Sequence, residues 1–202
     1  MLILASSSNT RKALLDKAGL SFEIVPAQID ERHIEEEAIA DGADGRDLAL
    51  LLATRKAEAV SRLRPGDLVI GADQTLALGL ELLHKPETRQ AASAQLDRLR
   101  GKTHRLHAAV TLVRDGQLLW SDIQTAELTM REFSPEERET VLDLEGEAIL
   151  GSVGSYRLEG PSIRLFEAVS GDYFTILGLP LLPLLAALRE LSPDLLSNEF
   201  IS

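Results

Sequence analysis

Leu2-Ile3-Leu4-Ala5-Ser6-Ser7-Ser8-Asn9-Thr10-Arg11-Lys12 reads as a short buried strand that turns through three serines into a helix. Ser8 or Asn9 is a plausible N-cap, and Gly19 closes the helix after Ala18. Two cations fall in the first turn, where the partial positive charge of the helix end disfavours them. Free N–H groups, hydroxyls and cations together make a phosphate site. A polyphosphate ligand is therefore the first expectation, with Ser6, Ser8 and Arg11 as its contacts.

Working outward, Phe22–Pro26 reads as a second strand, ending in a loop that carries Asp30 and Glu31. Leu48, Leu51, Leu52, Ala59 and Leu63 recur at helical spacing from about Asp47, and Pro65-Gly66-Asp67 ends that helix. Leu68-Val69-Ile70-Gly71-Ala72 is an uninterrupted apolar strand with Asp73 at its C-terminal end, where α/β proteins place ligands. Thr75–Leu83 reads as a hairpin folded near Gly79, followed by a helix at Arg89–Leu99.

Asp115-Gly116 marks a hairpin between Thr103–Val113 and Leu118–Thr129. Ser134-Pro135 opens another helix. A Gly-rich loop at Gly146–Gly160, a strand at Ile163–Val169, a helix after Pro180 and a peripheral tail from Ser192 complete the order. Strands alternating with helices, then hairpins, predict a mixed α/β sheet with flanking helices.

At 202 residues with 45% hydrophobic content, the chain is expected to be a single domain spanning 1–202. A net charge of −11 argues against a nucleic-acid partner but allows a small anionic ligand held by a few local cations. No apolar stretch approaches the ~20 residues that span a bilayer. Met1–Ala5 has no basic segment before it, so no signal peptide is expected. The absence of Cys fits a reducing compartment, and a cytoplasmic location is expected.

Taken together, Arg11, Lys56 and Lys85 supply positive charge for a triphosphate. Glu31 and Asp73 supply oxygens for a divalent cation, Mg²⁺ or Mn²⁺, and either carboxylate could orient or deprotonate water. Taken singly, each of these residues is better explained as a cap or a solvated side chain, except Asp73, for which a capping role and a ligand role stand even. There is neither a Walker A pattern nor a GxGxxG. His104 and His107 share no strand face, so zinc is not expected. Tyr156, Tyr173 and Trp120 read as packing residues first.

The segments LILASSSNTRKALL (2–15), QIDE (28–31), ATRKAEAV (53–60), VIGADQT (69–75), HKP (84–86), LRGKTH (99–104), YRLEG (156–160) and GDYFTILGLPL (171–181) occur in one order along nearly the whole chain. In this the chain resembles the Maf family of nucleotide pyrophosphatases. The resemblance implies an inosine triphosphate pyrophosphatase-like fold, two lobes around a central cleft, and a homodimer. It also implies hydrolysis of a nucleoside triphosphate to the monophosphate and pyrophosphate with a divalent cation.

The resemblance makes Asp73 the catalytic carboxylate, Glu31 and Asp73 the metal contacts, and Ser6, Ser8, Arg11, Lys56 and Lys85 the phosphate contacts. Gln74 and Glu159 look like the branch that takes 7-methylguanosine triphosphate, for a carboxylate accepts from a guanine edge. That branch carries Trp where this chain has Thr10, and Asn9-Thr10-Arg11 has one cation fewer than the family's usual Pro-Arg-Arg. Base preference stays open, leaning towards 7-methylguanosine triphosphate. The rival is a nucleotide-binding regulator of cell division without significant turnover.

Overall fold

A computed structural model of the chain describes residues 1–196. One seven-stranded sheet organises it: β1 (Leu2–Leu4), β2 (Glu23–Ile24), β3 (Leu68–Leu78), β4 (Glu81–Leu83), β5 (Thr103–Arg114), β6 (Gln117–Met130) and β7 (Phe166–Ser170). Its order is β2-β1-β3-β5-β6-β7, with β4 also pairing with β3. β1 runs parallel to β2 and β3, and the pairings from β3 through β7 are antiparallel, so the sheet is mixed as expected. The helices are α1 (Asn9–Lys17), α2 (Glu31–Ala40), α3 (Gly45–Leu63), α4 (Arg89–Leu99), α5 (Pro135–Glu145), α6 (Tyr173–Ile176) and α7 (Leu181–Leu191).

β3 positions the site. Its first residues, Leu68–Ile70, pair with β1, and Leu76–Leu78 pair with β4. Between them that edge has no strand partner, while the other edge pairs with β5 from Val69 to Ala77. Asp73 therefore lies in the middle of an 11-residue strand and not at its end, which corrects the sequence expectation. The apolar run stops at Ala72, but the β5 ladder carries the backbone through the polar residues regardless of their side chains. The ends of β3 join two separate cores. Leu68, Ile70 and Ala72 pack with α1 and α7, whereas Leu76 packs with α4 and α5. Asp73 falls between them.

α3 lies across β3 with Ala49, Leu52, Ala53, Lys56, Ala57 and Val60 buried at helical spacing. Asp44 and Asp47 start it with a reciprocal capping box. Gly71 allows the close approach: a Cβ there would stand 2.0 Å from the Ala53 carbonyl oxygen. Small residues on both elements bring Lys56 down onto the strand.

Other local expectations are corrected. Glu31 is the first residue of α2 and not part of a loop; Asp30 accepts from the His33 N–H as its N-cap. α2 buries only Ala38, so its charged sequence hid the helical period. Ile163 belongs to a 3-10 turn over Pro161–Leu165, and β7 begins only at Phe166. A further 3-10 turn occupies Gly146–Gly151 within the expected loop. At the tail, Leu195 and Leu196 pack on the core beside α7, and residues 197–202 lie outside the described residues. Among the described residues no helix is long and apolar enough to cross a membrane.

His104 and His107 lie on opposite faces of β5, with Tyr156 Oη and Thr125 Oγ1 as their partners at 2.7 and 2.9 Å. Trp120 packs beside α1 and α7, as expected. Burial pushes the His104 pKa down to about 4. The unfolded chain then binds a proton near pH 6.5 that the folded chain refuses, so stability falls as pH drops below that value and levels off near pH 4. About 2 kcal/mol is expected to be lost between pH 7 and pH 5 from this residue alone. Denaturant melts at the two pH values should show a smaller difference in His104→Gln than in the parent; equal differences would remove His104 as the cause.

Candidate active site

Ser8 ends the turn after β1 as the N-cap of α1, its Oγ accepting from the Arg11 N–H at 3.4 Å. Ser6 Oγ accepts from the Ser8 N–H and from Arg11 Nη1, both at 3.2 Å. Both serines thus use their oxygens as acceptors to shape the turn, which leaves each hydroxyl hydrogen to donate to a ligand. Ser7 is exposed.

Arg11 reaches across to the open edge of β3. Nη1 donates to the Ala72 carbonyl at 2.9 Å, satisfying an acceptor for which that edge has no strand partner. Nε donates to the Gly178 carbonyl at 2.8 Å. Burial lowers the Arg11 pKa, and the carboxylates of Asp73 and Glu31 oppose that fall.

Beside it lies a row of alternating charge. Lys56 Nζ donates to Asp73 Oδ1 at 2.6 Å and to Glu31 Oε2 at 2.8 Å. Lys56 and Asp73 are buried, whereas Glu31, at the start of α2, is half exposed. A buried ammonium between two carboxylates is held by both, and removing the ammonium would leave the two negative charges uncompensated. Asp73 Oδ2 accepts no hydrogen bond among the described residues.

Lys85, after β4, faces this row: desolvation chiefly, then the like charge of Arg11 and Lys56, lowers its pKa against the pull of Asp73 and Glu31. Ser6, Ser8, Arg11, Glu31, Lys56, Asp73 and Lys85, drawn from five separate stretches of sequence, meet at one place. The two carboxylates fit a divalent cation. Mg²⁺ is commonly held by one or two carboxylates with phosphate and water completing the shell. Among the described residues no group of three or more His, Asp or Glu could cage an ion without substrate.

Gln74, next in the strand, faces away from Asp73. Its Nε2 donates to the carbonyls of Thr175 and Ile176, each at 3.0 Å. With both amide hydrogens engaged, only Oε1 remains for another partner. Thr10 and Glu159 are not drawn into the network: neither makes a side-chain hydrogen bond among the described residues, and Glu159 is exposed.

The loop carrying Glu159 is nonetheless firmly held. Glu145 accepts from Arg157 Nε at 2.8 Å, Ser162 N–H at 2.9 Å and Ser162 Oγ at 2.7 Å. Desolvation raises the Glu145 pKa, and these bonds outweigh it and hold the carboxyl low.

A family profile described as Maf-like protein matches residues 1–191. The chain belongs to the Maf family. A Maf relative from Brucella abortus biovar 1 (strain 9-941), the 7-methyl-GTP pyrophosphatase, is 50% identical over 94% of this chain and 95% of its own. The nucleoside triphosphate pyrophosphatase of Bradyrhizobium diazoefficiens is 53% identical over 94% of this chain and 93% of its own. A HAM1 protein from Coxiella burnetii aligns at 16% identity and a TM-score of 0.41 over 64% of this chain and 72% of that one.

Three glycines of this Maf chain act through the backbone and not through side-chain chemistry, and two of them, Gly178 and Gly45, escaped sequence reasoning. Gly71 admits α3 to the strand, Gly178 presents its carbonyl to Arg11, and Gly45 offers a carbonyl to Thr75 Oγ1 at 2.6 Å. His84, which escaped it too, sits 3.3 Å from Glu35 and ties the segment of Lys85 to α2. The only available signal was that Gly178 and His84 fall within the family segments; Gly45 lies outside them.

Proposed function

We propose that this chain hydrolyses a nucleoside triphosphate to the monophosphate and pyrophosphate, as a Maf pyrophosphatase. The observation that carries this reading is the Glu31–Lys56–Asp73 row set against Arg11 and the open N-terminus of α1. Phosphoryl chemistry needs positioning and charge neutralisation above all, and this arrangement supplies both. Full-length relatives that are half identical bear names of the same activity.

Water attacks the α-phosphorus, the bond to the α–β bridging oxygen breaks, and pyrophosphate departs. Asp73 takes the proton of the attacking water at Oδ2. Lys56 keeps Asp73 in place through Oδ1 and offsets charge gathering on the phosphate oxygens. Arg11, Lys85, the hydroxyls of Ser6 and Ser8 and the first free N–H groups of α1 hold the phosphate chain. Glu31 and Asp73 would hold a divalent cation, Mg²⁺ or Mn²⁺, which when bound neutralises phosphate charge and favours departure of pyrophosphate.

The base preference leans to 7-methylguanosine triphosphate. Gln74 and Glu159 support this as acceptors for a guanine edge, as does the name of the Brucella relative. The same reading takes the protein as a homodimer, on the strength of the family likeness, and as cytoplasmic, on the absence of Cys. No observation favours the regulator without turnover.

The deciding assay is pyrophosphate release with Mg²⁺ or Mn²⁺ across the common ribo- and deoxyribonucleoside triphosphates, 7-methylguanosine triphosphate and 5-methyl pyrimidine nucleotides. Pyrophosphate with the monophosphate is the expected product pair, and 7-methylguanosine triphosphate the best substrate. Orthophosphate release, or binding without any turnover, would overturn the assignment.

A further inference from the structure

The amide of Gln74 and the guanidinium of Arg11 grip the same turn. α6 ends at Ile176, and a helix leaves its last carbonyls without partners from within. Gln74 Nε2 satisfies two of them, at Thr175 and Ile176. The Thr175 carbonyl also accepts from the Gly178 N–H at 3.0 Å, and the Gly178 carbonyl in turn accepts from Arg11 Nε.

Gly178 has φ +91°, a conformation that L side chains rarely adopt. A Cβ there would lie 3.3 Å from Gln74 Oε1 and 3.6 Å from Arg11 Nη2. The turn is pinned on its far side too, where Asp172 Oδ2 accepts from the Thr175 N–H at 2.9 Å. Thus Gln74, Thr175, Gly178 and Arg11 form one continuous chain of hydrogen bonds, running from the strand that carries Asp73 to a cation of the phosphate site.

We propose that Gln74 is a positioning residue for Arg11: by holding the Thr175–Gly178 turn it sets the guanidinium that receives phosphate, and so governs affinity for the phosphate chain whatever base is attached. This rests on the pyrophosphatase reading in taking Arg11 as a phosphate contact. It adds a role to Gln74 that base selection does not require. Among the described residues Arg11 has only two other acceptors, Ser6 Oγ and the Ala72 carbonyl, both engaged by Nη1. Without the Gly178 carbonyl, Nε loses its partner and the planar fork can swing about that single anchored nitrogen.

A probe with no base separates the two roles. Calorimetric titration with inorganic tripolyphosphate is expected to show Gln74→Met binding about five- to tenfold more weakly than the parent, the scale of one or two lost hydrogen bonds. Gln74→Asn, one methylene shorter, should weaken binding in the same direction, and serves if the Met variant does not fold. In an Arg11→Ala background the Gln74 substitution should change affinity by less than about twofold, because a residue acting through Arg11 has nothing left to act on.

Unchanged tripolyphosphate affinity in both folded single variants would overturn the proposal, leaving Gln74 a reader of the base alone. Full additivity with Arg11→Ala would overturn it as well. Failure of the pyrophosphatase reading looks different. A parent that binds tripolyphosphate and shows the Gln74 effect, yet turns over no nucleotide, refutes the activity and upholds the positioning.

Discussion

Asp73→Asn is expected to fold like the parent and to release pyrophosphate about a thousandfold more slowly, within the range that a positioned acid–base group contributes. The amide is isosteric with the carboxylate, and its oxygen can still accept from Lys56 Nζ, which stands 2.6 Å from Oδ1 in the parent. Lys56 also keeps Glu31 at 2.8 Å, so the buried ammonium is not left without a counter-charge. What the variant lacks is a basic atom at Oδ2 and half of the carboxylate pair that would hold a cation.

The fold comparison is a thermal melt beside the pyrophosphate assay at saturating nucleotide and metal. A melt close to that of the parent, with turnover about a thousandfold lower, is the expected pair. Parent-like turnover in the folded variant would mean that Asp73 neither accepts the proton nor orients the water. Glu31 would then be the next carboxylate to test, since it shares Lys56.

Gly71→Ala carries the second large effect, and it arises from packing. The added methyl would stand 2.0 Å from the Ala53 carbonyl oxygen, 2.7 Å from Ala57 Cβ and 2.8 Å from Thr111 Oγ1. The nearest atom belongs to the backbone of a 19-residue helix, so no rotamer change relieves the clash. α3 must lift from the sheet, and overpacking of this kind costs about 3 kcal/mol. In a chain of this length that corresponds to a fall in Tm of about 6–12 °C.

Lys56 lies between Ala53 and Ala57 on the displaced helix and moves with it. A charge-assisted contact of 2.6 Å to Asp73 does not survive a shift of an ångström or so. Pyrophosphate release should therefore fall even at temperatures where Gly71→Ala remains folded, with both kcat and KM affected. A parent-like Tm and rate would mean that α3 has slack on the strand, and that the glycine is not what brings Lys56 to Asp73.

Much of the fold was legible locally. The Leu2–Ala5 run, the serine cap and the Asp115-Gly116 turn are short-range signals, because side-chain period and turn chemistry act within a few residues. Legibility failed where tertiary pairing overrode local preference. β3 continues through Asp73-Gln74-Thr75 because β5 supplies its ladder, and α2 forms from a highly charged segment capped by Asp30. Ile163 looked like a strand residue yet sits in a 3-10 turn, anchored where Ser162 bonds the buried Glu145 carboxylate.

The candidate site divides in the same way. Taken singly, Arg11, Lys56, Lys85, Glu31 and Asp73 could be caps or solvated side chains; as a set, and with the family resemblance, they read as chemistry, since phosphate calls for cations and a metal or a water calls for carboxylates. The chain by itself determined that inventory, the strand-to-helix turn at its start and an acidic balance at odds with nucleic acid. Only the tertiary structure decided which groups touch. Lys56 bridges two carboxylates that lie 25 residues before it and 17 after it, Arg11 closes the open edge of β3 at Ala72, and Gln74 reaches a turn about a hundred residues away. Sequence spacing carries no record of such contacts, because a side chain's partners are set by the packing of elements, as where Gly71 is small enough to let the backbone of α3 meet the strand.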